Sequence, residues 1–376
     1  MSEPLTPSGL AVARSEEAAG WKKIEVRRDG ALVSFILNRP KALNAFDDEM
    51  RCVIADELTR IARNPDIYVV ALRSASPKAF CAGGDVRALV TEARSDMARV
   101  KSYFRGEYSL DWQLECLSKP SVSFIDGICM GSGAGLTLYN THRVAGENYK
   151  FAMPETAIGL FPDVGVPHPL SRLPWPIGLY LGLTGRSIGR ADAHWLGLAT
   201  HCISSAEFPA ILKSFADCYP IDPTLDALHQ PQAPGPLQGE AAMIEDYFSG
   251  PTLASIIAKL EAAHGASQAW ATETLHTLAA RSPMSLAITD RHIRSCRDLD
   301  LRRTLIQDYR LAVRCLEASD FYEGVRASLI DKDNKPVWQP AALAEVTAAA
   351  VDAYFAPLGE EDLSLATRDE MQAARG

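Results

Sequence analysis

Twice in this chain a short strand-like run opens into glycines and passes straight into a helix-forming stretch. The first loop is Ala79-Phe-Cys-Ala-Gly-Gly-Asp85, and the second is Gly131-Ser-Gly-Ala-Gly135. Glycines ahead of a helix start leave backbone N–H groups bare, at a point where the helix dipole also favours negative charge. Brought together, two such loops would aim amides at one oxygen. A single donor in such an oxyanion hole is worth roughly 3 kcal/mol, or about 10²–10³ in rate. Either loop alone is explained as well by a tight turn or by close helix–strand packing. A dinucleotide reading of Gly131 to Gly135 as G-x-G-x-x-G fails. Its sixth position is Leu136, and the stretch from there to Glu155 has no room for a crossover helix and a second strand.

Around the loops the pattern is that of a mixed α/β chain. Residues 24–37 alternate about Asp29-Gly30, which predicts a hairpin. Met50, Val53, Ile54, Leu58 and Ile61 recur at helical spacing, with Asp47 or Asp48 as N-cap. Ile67 to Leu72 and residues 121–126 read as strands, and a long polar helix is expected from Asp85. Strand, loop, helix, strand in this order implies parallel units. Residues 1–20 read as a disordered lead, 21–230 as the core, 231–240 as a linker or surface loop, and 241–376 as a mainly helical region.

Composition narrows the function classes. Of 376 residues, 47% are hydrophobic and 23% charged, which is ordinary for a globular chain. The net charge of −9 argues against nucleic acid as a partner, and no stretch approaches the ~18 apolar residues of a membrane span. Eight scattered cysteines, without C-x-x-C or zinc spacing, fit a reducing compartment. The N-terminus lacks a secretory pattern, and Glu16 and Glu17 count against a transit peptide, so a cytoplasmic location is expected. No metal is expected, because the candidate acids lack a surrounding His or Cys ligand set.

Two acids stand behind prolines, Pro154-Glu155 and Pro162-Asp163, with Gly159 between them as a break that would fold the chain back. Rigid, partly buried acids suit nucleophilic or general acid–base work, although any single Asp or Glu more often caps a helix. Lys78 and Arg87 flank the first glycine loop, where they would meet phosphates or simply stand in solvent.

The runs RPKALNAF (39–46), AFCAGGDVRAL (79–89), KPSVSFIDGICMGSGAGLTL (119–138) and FAMPETAIGLFPDVG (151–165) resemble the crotonase (enoyl-CoA hydratase/isomerase) superfamily. SRLP (171–174), GLYLGLTG (178–185), LGLATHCI (196–203) and SPMSL (282–286) continue the resemblance. DFYEGVRASLIDKDNKPVWQP (320–340) is similar to the 3-hydroxyisobutyryl-CoA hydrolase branch in particular. The resemblance implies an α/β spiral of ββα turns in two roughly perpendicular sheets, with a helical C-terminal region over the site. It also implies hydrolysis of a short 3-hydroxyacyl-CoA thioester, 3-hydroxyisobutyryl-CoA of valine degradation foremost. Coenzyme A would enter only as part of the substrate, with no separate cofactor, and the chain would form a trimer or hexamer. Carried over position by position, the backbone N–H groups of Gly84 and Ser132 would be the oxyanion donors. Glu155 would be the catalytic glutamate, Asp163 the hydrolase's second acid and Glu107 a substrate contact. Lys78 and Arg87 would meet the CoA phosphates and adenine region.

Three positions depart from that pattern: Ser132 replaces the middle glycine of the second loop, Val166-Pro-His-Pro169 replaces a glycine-aromatic stretch, and Gly106 stands where an acid is frequent. Gly135 matters most. A hydratase places its first glutamate there, and without it the remaining pair, Glu155 and Asp163, fits attack at a thioester carbonyl by an ionised acid. A hydratase or isomerase of the same fold, or a non-catalytic acyl-CoA binder, is the alternative.

Overall fold

The structure, a computed structural model, describes residues 22–174 and 176–373. The expected lead at 1–20, with Glu16 and Glu17, lies outside the described residues. Strands β1 (Ile24–Asp29) and β2 (Leu32–Leu37) form the antiparallel hairpin. The turn falls one residue later than predicted, on Gly30-Ala31, because Gly30 takes φ +55° against the end of a later helix. A Cβ there would lie 2.3 Å from the Ala216 carbonyl oxygen.

Helix α1 (Asp48–Arg63) follows, with Asp47 as N-cap accepting from the Met50 N–H at 3.1 Å. Next come β3 (Val69–Ser74) and β4 (Ala79–Cys81), then α2 (Val86–Ala93) and α3 (Met97–Glu115). The pattern then repeats with β5 (Ser121–Ile125), β6 (Ile128–Met130) and α4 (Ser132–Leu138), and a third time with β7 (His142–Ala145), β8 (Lys150–Ala152) and a 3₁₀ turn at Glu155–Ile158. Each first strand joins one sheet and each second strand another. The six-stranded sheet runs β1-β2-β3-β5-β7-β10, with β10 at His201–Cys202; the four-stranded sheet runs β4-β6-β8-β9, with β9 at Ile188–Gly189.

The larger sheet is covered on both faces. Phe35 and Leu72 point into the main core, while Leu32, Val69, Val122 and Phe124 pack with Phe215 on the other side. That is why β2 is buried at every residue rather than alternating.

Two readings of the sequence need correction. The long polar helix from Asp85 is two helices, broken at Arg94–Asp96, where Asp96 caps α3 through the Arg99 N–H. Helix α3 is not polar but buries Tyr103, Phe104, Glu107, Tyr108, Leu110 and Asp111. The linker at 231–240 ends at Gly235, because Asp192 caps the next helix through the N–H groups of Leu237 and Gln238.

Beyond β8 lie α5 (Ile177–Thr184), α6 (Phe208–Ala216), α7 (Pro236–Phe248), α8 (Leu253–Glu261), α9 (Gln268–Ala279), α10 (Pro283–Ser295), α11 (Leu301–Glu317), α12 (Ser319–Val325) and α13 (Ala348–Phe355). Helix α10 packs on α5, and α11 packs on α3. The C-terminal helices thereby cover α3, and α12 packs on the 3₁₀ turn that opens with Glu155.

Candidate active site

Strands β4, β6 and β8 are parallel neighbours, so their carboxyl ends lie side by side. Each ends in one of the segments singled out above: the Gly83-Gly84 loop, Gly131-Ser132, and Pro154-Glu155. Ligands of open α/β sheets bind beyond the carboxyl ends of strands. Here the two glycine loops touch. A Cβ on Gly131 (φ +49°) would lie 3.3 Å from the Gly83 Cα, and one on Gly84 would lie 3.2 Å from both the Ser132 Oγ and the Tyr103 hydroxyl.

The amides themselves are uncommitted. Gly84 forms a bridge with Phe46, but its bonds run from the Phe46 N–H to the Gly83 carbonyl and from the Asp85 N–H to the Phe46 carbonyl. The Gly84 N–H takes no part in them. Ser132 is the first residue of α4, and its N–H has no intrahelical acceptor. Among the described residues neither amide donates a hydrogen bond. Close packing sets their positions: a Cβ on Gly133 would lie 2.5 Å from the Cys81 carbonyl oxygen.

Glu155 opens its 3₁₀ turn behind Pro154 and is 7% exposed. Its Oε1 would lie 2.9 Å from a Cβ on Gly131, so the carboxyl lies beside the second loop and is there only because that residue is glycine. Gly159 (φ +72°) ends the turn and sends the chain back to Asp163, whose Oδ2 accepts from the Tyr108 hydroxyl at 2.7 Å. Glu107 is buried on α3.

Burial is the main force on all three acids. It lifts Glu107 to about 7, against the hydroxyls of Ser132 and Tyr103 and the Arg51 guanidinium, which act to lower it. Burial, with the charge of Glu107, lifts Glu155 to about 8. Burial and the charges of Glu155 and Glu107 raise Asp163 well above the usual carboxylate range. Against the expectation of an ionised Glu155, burial favours its protonated form in the free site.

Sequence reasoning missed Asp111, one turn beyond Glu107 on α3 and 1% exposed. It fills the space left by Gly135. A Cβ on Gly135 would lie 2.8 Å from the Asp111 Oδ1 and 2.8 Å from the Val164 Cβ. Burial and the charges of Glu107, Asp163 and Asp308 push Asp111 well above the usual carboxylate range. Among the described residues Asp111 Oδ2, Glu107 Oε1 and Glu155 Oε2 have no hydrogen-bond partner. The signal was present, since Tyr103, Glu107 and Asp111 recur every four residues and mark one polar stripe on a buried helix.

The two cations are not part of this cluster. Lys78 and Arg87 are exposed, and the Arg87 guanidinium donates to the Leu329 carbonyl. The other departures have physical counterparts. The Arg51 guanidinium lies where a Gly106 side chain would be, 2.5 Å from a Cβ there. Pro167–Leu170 forms a short helix with Val166 and Pro167 buried, and burial and Arg172 hold its His168 down at about 4.

The fold and this site define a CoA-thioester enzyme class, and the family model described as enoyl-CoA hydratase/isomerase matches residues 32–355. The chain belongs to that family. Its curated relatives include the mitochondrial 3-hydroxyisobutyryl-CoA hydrolase of Xenopus tropicalis, 40% identical over 339 residues that cover 88% of this chain and 87% of the relative. The 3-hydroxyisobutyryl-CoA hydrolase 1 of Arabidopsis thaliana is 37% identical, covering 95% and 98%. Among solved structures, a carnitinyl-CoA dehydratase from Mycobacterium thermoresistibile superposes with TM-score 0.86 at 36% identity, covering 92% of this chain and 99% of that one. An enoyl-CoA hydratase from Rhodobacter sphaeroides gives 0.85 at 34% identity, covering 92% and 100%. The expected cytoplasmic location is overturned by the animal relatives, from Xenopus tropicalis, Xenopus laevis and Gallus gallus, whose names place them in mitochondria.

Proposed function

We propose that the chain hydrolyses a short 3-hydroxyacyl-CoA thioester, with 3-hydroxyisobutyryl-CoA as the first substrate to test. The observation that carries this reading is the juxtaposition of two uncommitted amides, Gly84 and Ser132, with the Glu155 carboxyl beside the second of their loops. The thioester oxygen would rest on the two N–H groups, which favour the oxyanion over the neutral carbonyl. Glu155 then either attacks the carbonyl carbon, giving a mixed anhydride that water opens, or takes the proton of the attacking water. Asp163, held by Tyr108 and raised by burial toward its acid form, would orient the water or the substrate hydroxyl and return a proton to the departing thiolate. The partnerless oxygens of Glu107 and Asp111 would be available to accept from a substrate hydroxyl. The route uses carboxylates, amides and water. Lys78 and Arg87, both exposed, would meet the CoA phosphates.

Turnover is read as free thiol released from 3-hydroxyisobutyryl-CoA. Glu155→Gln should lower kcat by about 10²–10⁴-fold with the fold intact, and near-normal turnover would refute the role. Oxygen-18 passing from solvent into Glu155 in a single turnover would select the anhydride. One observation favours a second reading. The Asp111 carboxyl occupies the space beside Gly135 where a hydratase carries its first glutamate. Loss of crotonyl-CoA absorbance without thiol release would establish hydration instead.

A further inference from the structure

The corner that carries Asp163 is held in a backbone state that does not persist unaided. Val164 lies at φ +50°, a left-handed conformation that a β-branched residue adopts only under constraint, and Gly165 follows at φ +74°. A Cβ on Gly165 would lie 2.3 Å from the Tyr139 hydroxyl and 2.6 Å from the Leu301 Cδ1.

Three hydrogen bonds fix the corner. The Tyr108 hydroxyl donates to Asp163 Oδ2 at 2.7 Å, the Tyr139 hydroxyl donates to the Val164 carbonyl at 2.7 Å, and the Gly165 N–H donates to Asp308 Oδ2 at 2.7 Å. The first two donors come from the α/β core. The third partner comes from α11, in the C-terminal layer. Asp308 is in turn fixed from α10, its Oδ1 lying 2.5 Å from His292 Nε2, with both side chains fully buried. Burial acts to lower the His292 pKa, but Cys296 and Asp308 overcome it and hold it at about 10. Burial raises the Asp308 carboxyl overall, while His292 and the Gly165 N–H pull the other way and favour the charged acceptor, whose hydrogen bonds are roughly twice as strong as neutral ones.

We infer that Asp308 and His292 are positioning residues for the reaction: through the Gly165 amide they hold the Asp163-Val164-Gly165 corner, and so the Asp163 carboxyl, in its working place. The inference rests on the role proposed for Asp163. It assigns the C-terminal layer a part in catalysis beyond covering the site.

Steady-state kinetics and thermal unfolding of Asp163→Asn, Asp308→Ala, Asp308→Asn and the double variant Asp163→Asn/Asp308→Ala separate the possibilities. Asp308→Ala should lower kcat about 10–100-fold with KM within about threefold, the pattern of a lost transition-state contact. Asp308→Asn keeps an oxygen for the Gly165 N–H and should restore kcat to within about fivefold of the parent. The double variant should be no slower than Asp163→Asn, since residues acting as a unit are non-additive. A lower Tm with unchanged kcat in Asp308→Ala, or costs that multiply in full, would overturn the inference. Should Asp308→Ala not fold, His292→Leu carries the test against His292→Gln, which still donates to Asp308. A loss of kcat in the first only supports the inference, and equal kcat in both overturns it. Normal turnover in Asp163→Asn alone would instead bring down the proposed role of Asp163, whatever the Asp308 variants show.

Discussion

At the scale of single residues, the site is defined as much by what is missing as by what is present. Gly131 has no side chain, and the Glu155 carboxyl uses the room; Gly135 has none, and Asp111 uses it. Gly131→Ala should therefore be far more damaging than a methyl suggests. The new Cβ meets Glu155 Oε1 at 2.9 Å, and the φ of +49° adds roughly 1–2 kcal/mol of backbone strain. The expected result is a fall in Tm of a few degrees together with a loss of kcat of at least about tenfold. A variant with parental kcat would show that Glu155 does not depend on that space. Ionisation gives a second test. A base lifted to about 8 is active only once it has lost its proton, so kcat/KM should rise with pH through roughly 7 to 8 and level off above. A profile already flat at pH 6 would contradict a buried Glu155 as base.

At the scale of elements, the strand-glycine-helix units were legible because periodicity, glycine and helix start follow one another within a dozen residues. The turn back from Glu155 toward Asp163 was legible from Pro154, Gly159 and Pro162 for the same local reason. What local pattern could not supply is which strands become neighbours: the order β4-β6-β8 in the smaller sheet is a product of tertiary pairing, and it alone places the three loops together. Helix α3 was misread because its buried face carries acids, and an acid counts as solvent-facing until a second element is known to cover it. Helix α4 yields its own prediction. If its first N–H, and not the hydroxyl, is the oxyanion donor, Ser132→Ala should keep kcat within about threefold, because the backbone donor survives. A loss of 10²-fold or more would reassign the donor to the Ser132 Oγ.

At the scale of the whole molecule, the buried acids should give this protein an unusual dependence of stability on pH. Glu107 and Glu155, lifted by burial to about 7 and about 8, hold protons in the folded state that the unfolded chain releases near 4.5. Asp111 and Asp163 are raised further. Where the folded state binds more protons than the unfolded one, stability falls as pH rises. His292 adds the same sign: its folded-state charge stabilises fully below its ordinary 6.5 and is lost as pH approaches about 10. His168, held at about 4 by burial and Arg172, and His194 and His229, lowered chiefly by burial, have the opposite sign, which fades as pH rises past their ordinary 6.5. Between pH 7 and 8 the remaining terms point one way, at up to about 1.4 kcal/mol per pH unit for each proton involved. The Tm of the ligand-free protein should therefore drop by several degrees over that unit. Asp111→Asn, which keeps the shape of the acid without its titration, should flatten the slope. Calorimetry of the two proteins at pH 6.5, 7.5 and 8.5 measures both, and a parent Tm that holds steady or climbs would mean that these carboxyls are ionised in the folded chain, with compensating contacts.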